Sequence, residues 1–155
     1  MEYSIEYSKI IDIIKEEASR EGAQAYSEDG GSLYDAFRIL SRDEAKMKRM
    51  MSEVLASIKV QCNRFLYDLG YNEDDEEPDT LTFEVEASSR RINGKELALK
   101  TVFRSLTVNL ILNKFFVSRN MTDLAAKYDA MALSDVQSLN KLLFAKMPPS
   151  YSAVQ

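Results

Sequence analysis

YNEDDEEPDTLTFEVEA, residues 71–87, decides how the rest of the chain is read. A run of acids (Glu73, Asp74, Asp75, Glu76, Glu77 and Asp79) leads into a strict polar/apolar alternation. Leu81, Phe83, Val85 and Ala87 make one face; Thr80, Thr82, Glu84 and Glu86 make the other. A period of two is the pattern of a strand, yet the sequence on either side has the period of helices. A lone strand leaves a row of backbone donors and acceptors unpaired. Two readings follow. The segment lies along the helices as an extended strap, apolar face down. Alternatively, it pairs with the same segment of a neighbouring subunit or with another protein, and the adjacent acids oppose uncontrolled self-pairing. Whether it pairs in cis or in trans stays open at this point. Either way it is a brace or an assembly surface, not a catalytic element.

Outward from this segment, the periodicity predicts helices. Residues 3–20 place Tyr3, Tyr7, Ile10, Ile11, Ile14 and Ala18 on one stripe, and Gly22 is the expected stop. SEDGGS, residues 27–32, reads as a loop, and Ser32 can cap a short helix over 33–40. The spacing predicts a long helix over 41–69. Ser41 and Glu44 would form its capping box. Met47, Met50, Met51, Val54, Leu55, Ile58, Cys62, Phe65, Leu66 and Leu69 would form its apolar face, with Gly70 as terminator. Residues 95–118 are apolar around most of the helix and should be the most buried element. Thr122 is expected to cap a last helix with the stripe Leu124, Tyr128, Met131, Ala132, Val136, Leu139, Leu142, Leu143 and Met147. Pro148-Pro149 should end it, because proline lacks the donor and clashes with the preceding turn. The expected fold is therefore all-α: a bundle of three long helices plus an N-terminal helix, with one extended strap at about 80–87 between helices. Residues 1–149 should form one helical domain and 150–155 a C-terminal tail.

Composition narrows the function. The chain has 155 residues, 45% of them hydrophobic and 29% charged, which fits one soluble globular domain. It carries a net charge of −5, which argues against a protein built to grip phosphate backbones. The small basic spot Ser89-Arg90-Arg91 with Lys95 reads as a solvated loop. One cysteine, Cys62, rules out an intrachain disulfide and points to a reducing compartment. The N-terminus has acids where a secretory signal needs Lys or Arg. Lys100, Arg104 and Lys114 interrupt the greasiest region, 97–117, so no membrane span is expected.

No histidine is present, which removes the usual general base, the commonest transition-metal ligand and every Ser-His or Cys-His pair. Cys62 lies on an apolar helix face, where a thiol stays inert. No phosphate-binding glycine motif appears. The acid run could offer oxygens to Ca²⁺ or Mg²⁺, but it lacks the turn glycine and the spaced terminal Glu of a calcium loop. Consecutive acids mostly repel and stay solvated. No catalytic, cofactor-binding or metal-ligating residue is assigned, no cofactor is expected, and the chain is read as a non-enzyme.

SRDEAKMKRMMSEVLASIKVQCNRFL, the acid-flanked extended segment, and KELALKTVFRSLTVNLILNKFF follow one another in an order similar to the head–tail connector (adaptor, or head-completion) proteins of tailed bacteriophages. In that family a helix opens after a short turn, here Phe37-Arg38-Ile39-Leu40-Ser41-Arg42-Asp43-Glu44. A second long helix ends near an aromatic pair, here Phe115-Phe116. The flanking pieces EEASREGAQAYSEDGGSLYDAF and AKYDAMALSDVQSLNKLLFAKMPP resemble small connector-like proteins of phages and prophages of Bacteroides-type bacteria, so the resemblance covers residues 10–149.

The resemblance implies a structural virion protein in the neck of the particle, present in the host cytoplasm during assembly. Such subunits form a homo-oligomeric ring, commonly of about twelve copies. The ring lies between the portal protein and a tail or stopper protein, and DNA passes through it without sequence-specific binding. The candidate assembly contacts are Leu81, Phe83 and Val85 in the strap and Pro148, Pro149 and Tyr151 in the tail. The alternative is a cytoplasmic helical adaptor or regulator that binds a protein partner through an apolar groove rich in methionine, at Met47, Met50 and Met51.

Overall fold

A computed structural model describes residues 2–24, 30–31, 37–39, 43–70, 80–86 and 94–144. The elements in chain order are β1 (Glu2–Glu6), α1 (Tyr7–Gln24), α2 (Glu44–Gln61), β2 (Leu66–Gly70), β3 (Thr80–Val85), α3 (Glu96–Ser118) and α4 (Thr122–Phe144).

The chain is mostly helical but not all-α. Residues 80–85 are no lone strap: β3 is the central strand of a three-stranded antiparallel sheet ordered β1-β3-β2. Tyr3 faces Phe83 and Ile5 faces Leu81 across one edge; Leu66 faces Val85 and Leu69 faces Phe83 across the other. Both edges of the strand are thus satisfied in cis. The alternation seen in the sequence orients it as expected, with Leu81, Phe83 and Val85 buried and Thr80 and Glu84 exposed.

The partner strands came from residues assigned to helices, for a physical reason. EYSIE, residues 2–6, carries Tyr3 and Ile5, and a run of five residues is too short to separate the two periodicities. Tyr3 and Tyr7 fit one helical stripe, but Tyr3 and Ile5 also fit one face of a strand, and pairing with β3 decides between them. Leu66 and Leu69 likewise continue the stripe of α2, yet α2 ends at Gln61. The Cys62 carbonyl accepts hydrogen bonds from the Phe65 and Leu66 amides at 3.0 and 2.9 Å, turning the chain into β2. Asp43 occupies the N-cap of α2 without a side-chain cap bond; the expected Ser41 cap lies outside the described residues.

Gly22 does not stop α1. It ends a buried row, Ile10, Ile14, Ala18 and Gly22, spaced by four and shrinking in size along the helix. The central element is α3, whose buried residues run from Leu99 to Phe116. It pairs antiparallel with α4: the Lys95 ammonium donates to the Leu142 carbonyl at 2.7 Å, and the Asn113 amide donates to the Ala125 carbonyl at 2.8 Å. Asn120, at φ 59°, makes the turn between the two helices. Its amide donates to the Val117 carbonyl at 3.0 Å, and the Met121 amide to the Phe116 carbonyl at 2.9 Å. That pair of bonds is a Schellman closure with asparagine at the left-handed position.

One core joins sheet and helices. Phe103 of α3 meets Phe83 at a ring-centroid distance of 4.7 Å and Phe65 at 6.5 Å, and Phe65 meets Phe144 at 5.9 Å. Near the other end of α3, Phe116 lies between Phe37 at 5.8 Å and Tyr128 at 5.5 Å. Phe144 is half-buried; each of the other rings stabilises the fold by about 1.5–3 kcal/mol relative to its exposed state. No helix among the described residues is long and apolar enough to cross a membrane.

Candidate functional site

Among the described residues, an open groove of about 520 Å³ lies between α2 and α3, lined by Lys46, Arg49, Met50, Glu53, Asn113, Lys114, Val117 and Ser118. Helical spacing puts Lys46, Arg49 and Glu53 along one exposed row of α2. Lys114 reaches across from α3 and donates to Glu53 at 2.7 Å, which holds the Glu53 carboxyl below its ordinary value. At one end Arg119 ties α3 to the Asp43 carboxylate at 3.6 Å. Met50 and Val117 supply apolar surface. The groove therefore combines an apolar strip with a surplus of cations, in a chain whose net charge is negative.

A second polar set lies between α3 and α4. Asp135 Oδ2 accepts from Asn109 Nδ2 at 2.8 Å and from Ser105 Oγ at 2.8 Å. Asn109 is 4% exposed, and the carboxylate is the nearer of two acceptors for its buried amide, the other being Ser105 Oγ at 3.3 Å. A third set joins α1 to α4. The Tyr128 hydroxyl donates to Glu21 Oε1 at 2.9 Å, and Lys127 pairs with the same carboxylate. Burial pushes Glu21 upward, but the bonds from Lys127 and Tyr128 and the charges of Lys127 and Arg20 outweigh it, and the net shift is downward. Burial, then the Glu21 bond and the Glu21 and Glu17 charges, raises the Tyr128 hydroxyl. These two sets hold helices together.

The outer face of the sheet is acidic. Glu2 is the cross-strand partner of Glu84, and Glu84 is also the partner of Asp68, so three carboxylates lie in one row across three strands. All three residues are exposed. Glu6 stands on the same face, paired to Lys9 at 2.9 Å. Asp68 takes an ion pair from Lys59 at 3.2 Å. The Leu69 amide and the Lys59 ammonium hold its carboxyl below the usual range.

Cys62 is fully buried at the end of α2, and desolvation pushes its thiol up to about 11. A nucleophilic thiol needs the opposite environment. Among the described residues no group of three or more Cys, Asp or Glu side chains is arranged to hold a metal ion.

No family model, curated protein or solved structure matches this chain.

Of the residues singled out in the sequence, Leu81, Phe83 and Val85 are 0%, 0% and 1% exposed, sealed in the chain's own core. Pro148, Pro149 and Tyr151 lie outside the described residues, as does the acid run 73–79. Met47 and Met51 are core residues at 2% and 0% exposure; of the three methionines only Met50 reaches the groove. Sequence reasoning missed the row Glu2–Glu84–Asp68. Glu84 was visible as the polar side of a strand, but Asp68 sat in a segment read as helix and Glu2 just ahead of another.

Proposed function

We propose that this chain is a structural subunit of a phage head–tail connector: one copy of a ring between portal and tail, around the channel through which DNA passes. Its place is the virion neck, with the host cytoplasm as the site of assembly. It performs no chemistry of its own.

What supports this reading is that the two stretches carrying the resemblance meet in space. Phe37, seven residues ahead of α2 in the sequence, packs on Phe116 of the aromatic pair near the end of α3, with ring centroids 5.8 Å apart. Ile39 is buried in the same core. Residues 44–61 and 96–118 are helices, and the strands β2 and β3 lie between them in the chain. That order agrees with the one the resemblance implies.

The second reading, an adaptor with one protein partner, has the α2–α3 groove in its favour. That groove is rimmed by cations, with methionine contributing at one position.

The two readings part in one experiment. DNA-filled heads bearing portal but lacking this chain are mixed with purified protein, then with tails. Infectious particles, and added density below the portal in cryo-electron micrographs, are the expected result. Heads that neither bind the protein nor gain tails, together with a cellular protein recovered by pull-down from the host, would replace the connector reading with the adaptor one.

A further inference from the structure

We infer that the groove between α2 and α3 docks a second copy of this chain, by the acidic outer face of its sheet. The inference rests on the ring reading for the number of copies and on charge placement for the geometry.

Among its described lining residues the groove presents Lys46, Arg49 and Lys114 against one carboxylate, Glu53, which Lys114 engages; Asp43 at its end is bound to Arg119. The sheet presents Glu2, Glu84 and Asp68 in one row. Their spacings match. Neighbouring strands lie about 4.8 Å apart, and side chains three apart on a helix lie about 5–6 Å apart, as Lys46 and Arg49 do. Two carboxylates at strand pitch can therefore face Lys46 and Arg49 at nearly the same pitch, with Lys114, bound to Glu53, beside them.

The acidic row is also unfavourable within one subunit. Like charges directly opposite on paired strands destabilise a sheet, and Glu84 has a carboxylate opposite it on both sides. Lys59 relieves only Asp68. A cationic surface laid over the row would relieve all three.

The two patches sit at different ends of the molecule. The sheet packs on α3 at Phe103 through Phe83, and Lys114 lies roughly 16 Å farther along that helix at ~1.5 Å per residue. A contact between unlike patches at opposite ends is head-to-tail. Such contacts close into rings when the rotation between copies is right, whereas a self-complementary patch would stop at a dimer.

The test uses charge reversal at exposed positions, with the full chain throughout. One variant carries Lys46→Glu and Arg49→Glu in the groove; the other carries Glu2→Lys and Glu84→Lys on the sheet. Sedimentation velocity at ~50 mM and ~500 mM salt reads association, since screening lengths shorten over that range. The unaltered chain should associate at low salt and much less at high salt. Each variant alone should associate at least tenfold more weakly. An equimolar mixture should recover assembly, because each groove then meets a sheet of opposite sign. A chain carrying all four changes should recover it too.

Thermal melts guard against misfolding. The Glu84→Lys change by itself should raise Tm slightly by placing a cation between Glu2 and Asp68, whereas the sheet variant, in which the lysines at 2 and 84 face each other, should melt close to the unaltered chain. Association that ignores the reversals would overturn this contact and leave a ring built by other surfaces standing. Loss in both variants without recovery on mixing, or a monomer at every concentration and salt, would also overturn it. The head-complementation experiment above then decides the connector reading by itself.

Discussion

Phe83 and Phe103 stack with ring centroids 4.7 Å apart and planes inclined by 26°. This contact joins the central strand to the central helix, and both rings are fully buried. Phe83→Ala should cost about 3–5 kcal/mol, the usual range for emptying an aromatic site in a core. Phe83→Leu, which refills most of the volume, should cost less than half of that. Urea denaturation followed by circular dichroism measures both. Near-equal stabilities for the alanine variant and the unaltered chain would mean that the strand does not pack on α3 as described.

Asp135 and Asn109 make a sharper case, because one is useful mainly through the other. Removing the carboxylate in Asp135→Ala leaves the buried Asn109 amide only its longer bond to Ser105 Oγ at 3.3 Å, a loss of about 1–3 kcal/mol. Once Asn109 is leucine, the same Asp135→Ala change should cost far less. A double-mutant cycle reads the difference directly; additive effects would show that the bond contributes nothing.

The cluster at Glu21 predicts how stability changes with acid. Its carboxyl is held below its ordinary value of 4.5, so the unfolded chain takes up a proton more readily than the folded one. The stabilisation is complete above about pH 4.5 and lost as pH falls through the lower folded value. Melting temperatures between pH 7 and pH 3 should therefore drop more steeply for the unaltered chain than for Glu21→Gln. At neutral pH that variant should be weaker by about 1–2 kcal/mol, because hydrogen bonds to a charged group are lost and Lys127 is half-exposed. Parallel curves for the two proteins would count against the ion cluster.

Asn120 offers a test of a left-handed backbone position. At φ 59° any residue with a Cβ bears the clash of that region, about 1–2 kcal/mol, which asparagine offsets in part through its short polar side chain and glycine avoids. Asn120→Gly should therefore be neutral or slightly stabilising, and Asn120→Ala, which keeps the Cβ and loses the polar side chain, should be the less stable of the two in a urea melt. An alanine variant more stable than the glycine one would show that the left-handed conformation does not set the choice of residue at the α3–α4 turn.

Cys62 should be silent in the folded protein. With the thiol buried and pushed up to about 11, modification by a disulfide reagent at pH 8 should proceed only as fast as the chain opens. Adding ~6 M urea should make it immediate; a rapid reaction without urea would contradict the placement of this residue.

The long helices were legible in the sequence because their signal is long. Over 96–118 and 122–144 a period near 3.6 repeats through several turns, and no competing pattern fits. The in/out assignment of Leu81, Phe83 and Val85 was legible for the same reason at a period of two. The polar contacts between helices were not, since Asn109 and Asp135, or Glu21 and Tyr128, are distant in the chain and fit equally well on solvated faces until packing brings them together.

What the sequence determined alone is therefore the helical bulk, the strand character of 80–85 and the lack of a histidine-based chemistry. What only tertiary structure decided is the sheet. Residues 2–6 and 66–70 are too short for their own periodicity to choose a state, and local preference in a five-residue run is weaker than the hydrogen bonds and apolar burial that pairing with β3 supplies. Long-range pairing set their conformation, and with it the row of carboxylates that no linear reading brings together.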